Sequence, residues 1–106
     1  MEKKNSKNIL ALKNKMNKIK PSELWDLSDT LARYILPRLK SFRKMKRSGV
    51  PSHFKTMKEW NAELDKMIYA FDRIVNPKTA NQFYSTNFKV KAGLKSFAEN
   101  FGSFWN

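Results

Sequence analysis

No cysteine occurs among the 106 residues, which excludes a disulfide scaffold, a thiolate-bound zinc or iron–sulfur site and thiol catalysis together. Histidine is nearly as scarce: His53 is the only one, too few for a histidine-rich metal site, and no D-x-D-x-D-G calcium loop is present. The three glycines, Gly49, Gly93 and Gly102, stand far apart and leave no phosphate loop or dinucleotide fingerprint. The longest apolar run is five residues, 67–71, against about 20 for a membrane-spanning helix. Residues 1–20 lack the apolar stretch and small-residue cleavage site of a secretory signal. Acid is also in short supply, with 9 Asp+Glu against 22 Lys+Arg and a net charge of +13. What remains, 41% hydrophobic and 13% aromatic residues, is enough for one core. These features predict one soluble, intracellular, strongly cationic domain that needs no cofactor.

The positive charge is gathered into blocks. Residues 1–20 hold seven Lys and one Glu, and residues 37–49 hold Arg38, Lys40, Arg43, Lys44, Lys46 and Arg47 with no acid. Residues 50–76 balance four cations with four acids. A surface that only solubilises normally mixes both signs, whereas blocks of one sign draw in polyanions or acidic protein surfaces.

Helical periodicity runs through the chain, with no alternating strand pattern beside it. Ile9, Leu12, Met16 and Ile19 form a narrow stripe that Pro21 ends, so residues 1–20 read as a basic N-terminal arm and helix that either docks on the body or orders on binding. Residues 21–106 read as a single helical domain. Ser22 is the expected N-cap of a second helix whose inner face is Leu24, Ser28, Leu31, Ile35, Leu39 and Phe42, kinked at Pro37. Thr56-Met57-Lys58-Glu59 has the capping-box form ahead of Trp60, Leu64, Met67, Phe71 and Ile74. Thr79-Ala80-Asn81-Gln82 is a second such box. Val90, Leu94, Phe97, Phe101 and Phe104 predict a last helix over about 87–101, with Gly93 inside it costing about 1 kcal/mol and Gly102 as C-cap. The expected fold class is all-α, a small bundle of four to five helices.

Catalysis finds little support in these residues. His53 lies in a turn, and Glu59 and Glu63, flanked by Lys58 and Lys66, read as ordinary helix-surface charge. A non-enzyme is expected, with no small-molecule substrate. The candidate binding residues for nucleic acid or an acidic partner are Arg33, Arg38, Lys40, Arg43, Lys44, Lys46 and Arg47, joined by Lys13, Lys15, Lys18 and Lys20 of the arm. Lysines along a helix suit phosphate neutralisation, and the arginines add bidentate contacts. Phe83, Tyr84, Phe104 and Trp105 are candidates to stack on unpaired bases, to anchor a protein partner, or to staple the C-terminus to the bundle.

Trp25-Asp26-Leu27-Ser28-Asp29-Thr30-Leu31, then Tyr34-Ile35-Leu36-Pro37-Arg38-Leu39-Lys40, Glu59-Trp60-Asn61 and Leu64-Asp65-Lys66-Met67-Ile68-Tyr69-Ala70-Phe71 resemble a group of small, mostly uncharacterised helical proteins of tailed bacteriophages. The similarity covers residues 25–71, and it is a pattern of core and capping residues. It implies a helical fold and a viral origin, and transfers no catalytic or ligand residue. For a small cationic phage protein two roles follow. One is an inhibitor of a host nucleoprotein such as a CRISPR effector with its guide RNA (anti-CRISPR-like), working in the cytoplasm of the bacterial host. The other is a nucleic-acid-binding accessory protein in replication or packaging.

Overall fold

The computed structural model describes residues 18–76 and 87–105. Among them are three α-helices, α1 (Leu27–Lys44), α2 (Met57–Val75) and α3 (Phe88–Glu99), with short 3-10 turns at Pro21–Leu24 and Phe101–Ser103. The chain is all-helical over the described residues, as its periodicity predicts. The count of four to five helices is corrected to three. The stripe that was to make the first helix falls mostly on residues 1–17, and the candidate box at 79–82 falls on 77–86, both outside the described residues. Residues 18–20 are not helical, and Ile19, the last member of that stripe, is 54% exposed.

The entry to α1 differs from the expected Ser22 cap. Pro21 opens a 3-10 turn, and the Lys20 N–H donates to Glu23 Oε2 at 2.7 Å. The helix starts at Leu27, where Asp26 is the N-cap and its Oδ1 accepts the Asp29 N–H at 3.2 Å. Aspartate caps as well as serine does, because either oxygen satisfies an orphan N–H of the first turn. Pro37 lies inside α1 without dividing it. Its missing N–H releases the Arg33 carbonyl, and both residues are on the exposed side, where solvent can take that bond.

The inward face of α1 is also rotated from the expected one. Ala32, Leu36 and Leu39 are buried, with Ile35 and Phe42 packed beside them, while Leu24 and Leu31 are 58% and 51% exposed. α1 carries apolar residues on more than one side, so its period alone does not say which side meets α2.

α2 follows its pattern closely. Thr56 Oγ1 accepts the Glu59 N–H at 3.2 Å, and the Glu59 carboxylate accepts the Lys55 N–H at 3.2 Å. Trp60, Leu64, Met67, Ala70 and Phe71 are buried, and Ile74 packs against them. Phe54 stacks on Trp60 at 5.4 Å between ring centroids, and Phe104 at 6.1 Å. The Phe42 edge meets the same indole at 6.4 Å. This aromatic group closes one end of the core.

α3 begins at Asn87, whose side chain accepts from the Lys89 and Val90 N–H groups. It ends at Asn100 rather than Gly102, and no described glycine has a positive φ. Phe97 reaches the core through Phe71, 5.0 Å away. Phe101, expected on the core stripe, is 65% exposed, because the chain leaves the α-helix at Glu99 and tightens into the closing turn. Both α1 and α3 pack on α2 and make no close backbone approach to each other.

Candidate polyanion-binding surface

The basic block 37–49 straddles the C-terminus of α1. Arg38, Lys40, Arg43 and Lys44 are on the helix, while Lys46 and Arg47 follow it. Arg43 and Lys44 sit in the last turn, where the carbonyl ends of the helix favour cations. At 100° per residue, Arg33, Lys40 and Lys44 share one stripe, Arg38 lies on the opposite flank, and Arg43 turns toward α2.

The arginines are largely engaged inside the protein. Arg33 Nε stands 2.7 Å from Asp29 Oδ2, and Arg43 Nε stands 3.1 Å from Asp65 Oδ1. Arg38 donates to the Tyr34 carbonyl at 2.8 Å, and its guanidinium carbon lies 3.6 Å from the Tyr34 ring centroid. Arg47 donates from Nη2 to the Arg43 carbonyl at 3.2 Å and to Asn61 Oδ1, with its guanidinium near the Phe42 ring. Its Nε and Nη1 are buried without a hydrogen-bond partner among the described residues. Burial first, and the neighbouring Arg43 charge second, lower the Arg47 pKa from the ordinary arginine range. Of the four arginines, Arg47 is the one whose guanidinium is buried in part, and the Arg43–Asp65 pair, like Arg33–Asp29, lies at the surface. Arg33 is exposed and its ion pair is a surface one, a class worth about 0–1 kcal/mol, so an incoming phosphate can displace it.

The lysines are different. Lys40, Lys44 and Lys46 are exposed and make no ion pair among the described residues. Lys18 and Lys20 are exposed on the segment leading to α1. Lys13 and Lys15 lie outside the described residues, as do Phe83 and Tyr84.

Of the aromatic candidates, Phe104 belongs to the core, packed against Phe42 at 5.8 Å and Phe97 at 5.4 Å between centroids. Trp105 is 76% exposed and borders a small cleft with Ser48, Gly49, Val50 and Pro51, just after the basic block. Trp25 and Tyr34, outside the candidate contact residues, are 83% and 61% exposed. Trp25 stands beside Asp26 just ahead of α1, and Tyr34 lies in the middle of that helix between Arg33 and Ile35.

His53 Nε2 lies 2.7 Å from Asn100 Oδ1, and Asn100 is buried with its Nδ2 donating to the Ser96 carbonyl at 2.9 Å. Ser96 Oγ donates to Glu63 Oε1 at 3.3 Å, and Glu63 also pairs with Lys66 at 2.7 Å. This chain ties the 51–54 turn to α2 and α3. Among the described residues, no group of three or more His, Cys, Asp or Glu is placed to hold a metal ion, and no helix is long and apolar enough to cross a membrane. No protein-family model, characterised protein or solved structure matches the chain.

Proposed function

We propose that the chain is a phage-type binding protein without catalytic activity, which inhibits a host nucleoprotein, an RNA-guided nuclease, by laying its basic surface on an RNA backbone or on an acidic surface beside an RNA channel. It works in the cytoplasm of the bacterial host. The observation that carries this reading is the set of exposed lysines, Lys40, Lys44 and Lys46, with no ion pair among the described residues, in a block that contains no acid. Each phosphate neutralised by such a lysine releases counterions and steepens the salt dependence of binding. Trp105, beside the end of that block, offers a face for base stacking. The resemblance of residues 25–71 to tailed-phage proteins supports a viral origin, from which both this role and that of a nucleic-acid-binding accessory protein follow.

The test is affinity capture of an RNA-guided nuclease, with and without nuclease treatment, beside titration of free RNA and duplex DNA at physiological salt. Capture of the effector with inhibition of its cleavage, and weak affinity for free nucleic acid, is the expected result. Tight, strongly salt-dependent binding to free nucleic acid without inhibition would overturn it in favour of an accessory nucleic-acid-binding protein.

A further inference from the structure

The loop after α1 and the chain beyond α3 meet at Trp60 in a small cleft of about 100 Å³, lined by Ser48, Gly49 and Pro51 of the loop and by Ser103 and Trp105. Both segments are tied to the core beside it. Phe54, whose N–H donates to the Pro51 carbonyl at 2.9 Å, stacks on the Trp60 indole, and Phe104 stacks on the same ring. Trp105 follows Phe104 directly, and its N–H donates to the Ser103 carbonyl at 3.0 Å. It is nevertheless 76% exposed. A large ring held next to a fixed core residue but left in water is a platform for something outside the chain.

The lining is mixed in chemistry, two indoles beside two serines and the backbone of a glycine. An unpaired base asks for that mixture, a ring to stack on and polar groups for its edge. Neither segment brings an acid, since residues 37–52 and 100–105 contain none. Lys46, exposed and without an ion pair among the described residues, stands two residues before Ser48. Arg47, between them, is turned to the Arg43 carbonyl and Asn61 and takes no part. We infer that the cleft binds one unpaired nucleotide, its base stacked on Trp105 and its phosphate neutralised by Lys46, so that the basic surface selects single-stranded nucleic acid over duplex. In a duplex each base is covered on both faces by its neighbours and has no face to offer the indole. The inference rests on the reading of the lysine block as a phosphate-binding surface and adds what that surface selects.

The experiment titrates the full chain with oligouridylate, oligothymidylate and an RNA duplex, each about 12 nucleotides long, at about 50 mM salt, where lysine–phosphate contacts are strong. Trp105→Ala is expected to weaken binding of the single strands by roughly tenfold, the scale of one stacked base, and of the duplex by less than about twofold, with Trp105→Phe restoring most of the loss. Gly49→Leu adds a side chain to the lining at a position whose Cβ meets nothing within 4 Å, and is expected to have the same selective effect with an unchanged thermal melt. In a Trp25→Phe background, single strands should quench the exposed Trp105 emission and duplex should not. Changing Lys40, Lys44 and Lys46 to Gln should weaken single strands and duplex together. If those lysines matter but Trp105→Ala and Gly49→Leu weaken both forms equally or neither, the inference is overturned and the phosphate-binding surface stands. If the lysine changes affect neither form, that surface and the inference fall together. Loss of nuclease capture on Trp105→Ala with oligonucleotide affinity intact would overturn the inference in favour of a protein contact at Trp105.

Discussion

Gly93 faces the backbone carbonyl of Lys66 so closely that a Cβ there would collide with the carbonyl oxygen and stand 2.6 Å from the Ala70 Cβ. The residue that weakens α3 as an isolated helix is therefore what lets α3 lie directly on α2. A polypeptide carbonyl cannot swing aside as a long side chain can, so the contact sets the distance between the two helices.

Replacing Gly93 by Ala is expected to destabilise the protein by about 1–3 kcal/mol, the usual scale of overpacking, even though Ala is the better helix former. At roughly 4–8 °C per kcal/mol for a domain of this size, thermal denaturation resolves the loss easily. Gly102→Ala, with nothing within 4 Å of its added Cβ, serves as the neutral control. If the two variants melt together, the close crossing is not limiting.

Trp60 is 1% exposed, whereas Trp25 and Trp105 are 83% and 76% exposed. Trp60→Ala should cost about 3–5 kcal/mol, as for other large aromatic truncations. A variant with Phe at positions 25 and 105 should retain a blue-shifted emission that acrylamide hardly quenches. Red-shifted, readily quenched emission from that variant would contradict the stacking of Phe54 and Phe104 on the indole.

Unpaired lysines and paired arginines should differ in salt dependence. Neutralising Lys40, Lys44 and Lys46 to Gln is expected to lower the slope of log affinity against log salt by about 2–3 for a nucleic-acid ligand. Arg43→Gln should change that slope by less than one lysine does, since its guanidinium already holds Asp65. Equal effects per residue would show that the ion pair opens freely on binding.

Asn100→Ala should destabilise by about 1–3 kcal/mol, the cost of leaving buried partners unsatisfied. It removes the acceptor facing His53 and the donor to the Ser96 carbonyl. Urea denaturation with an unchanged m value is the measurement, and a loss below about 0.5 kcal/mol would mean that solvent replaces these bonds.

How much of this fold could be read beforehand depended on whether a signal was local. Thr56 and Glu59, three residues apart, announce the start of α2, and the stripe from Trp60 to Phe71 has one apolar side, so that helix emerged as expected. Leu27, Leu31 and Tyr34 give α1 a second apolar flank, and only contact with α2 decides that Ala32, Leu36 and Leu39 turn inward. The Arg33–Asp29 pair spans a single helical turn and is of the kind periodicity suggests. Arg43 and Asp65 are 22 residues apart on different helices, so nothing near Arg43 indicates that it is engaged. Likewise the need for Gly93 arises at Lys66 and Ala70, on another helix.

The arrangement of α1 and α3 on either side of α2 bears on how the molecule comes apart. With α2 as the common floor, the two flanking helices meet only through side chains, Phe104 lying against Phe42 of α1 and Phe97 of α3. Amides of α2 near Leu64 and Met67, both fully buried, should then be the last to exchange with deuterated solvent, and destabilising changes on the two flanks should couple through Phe104.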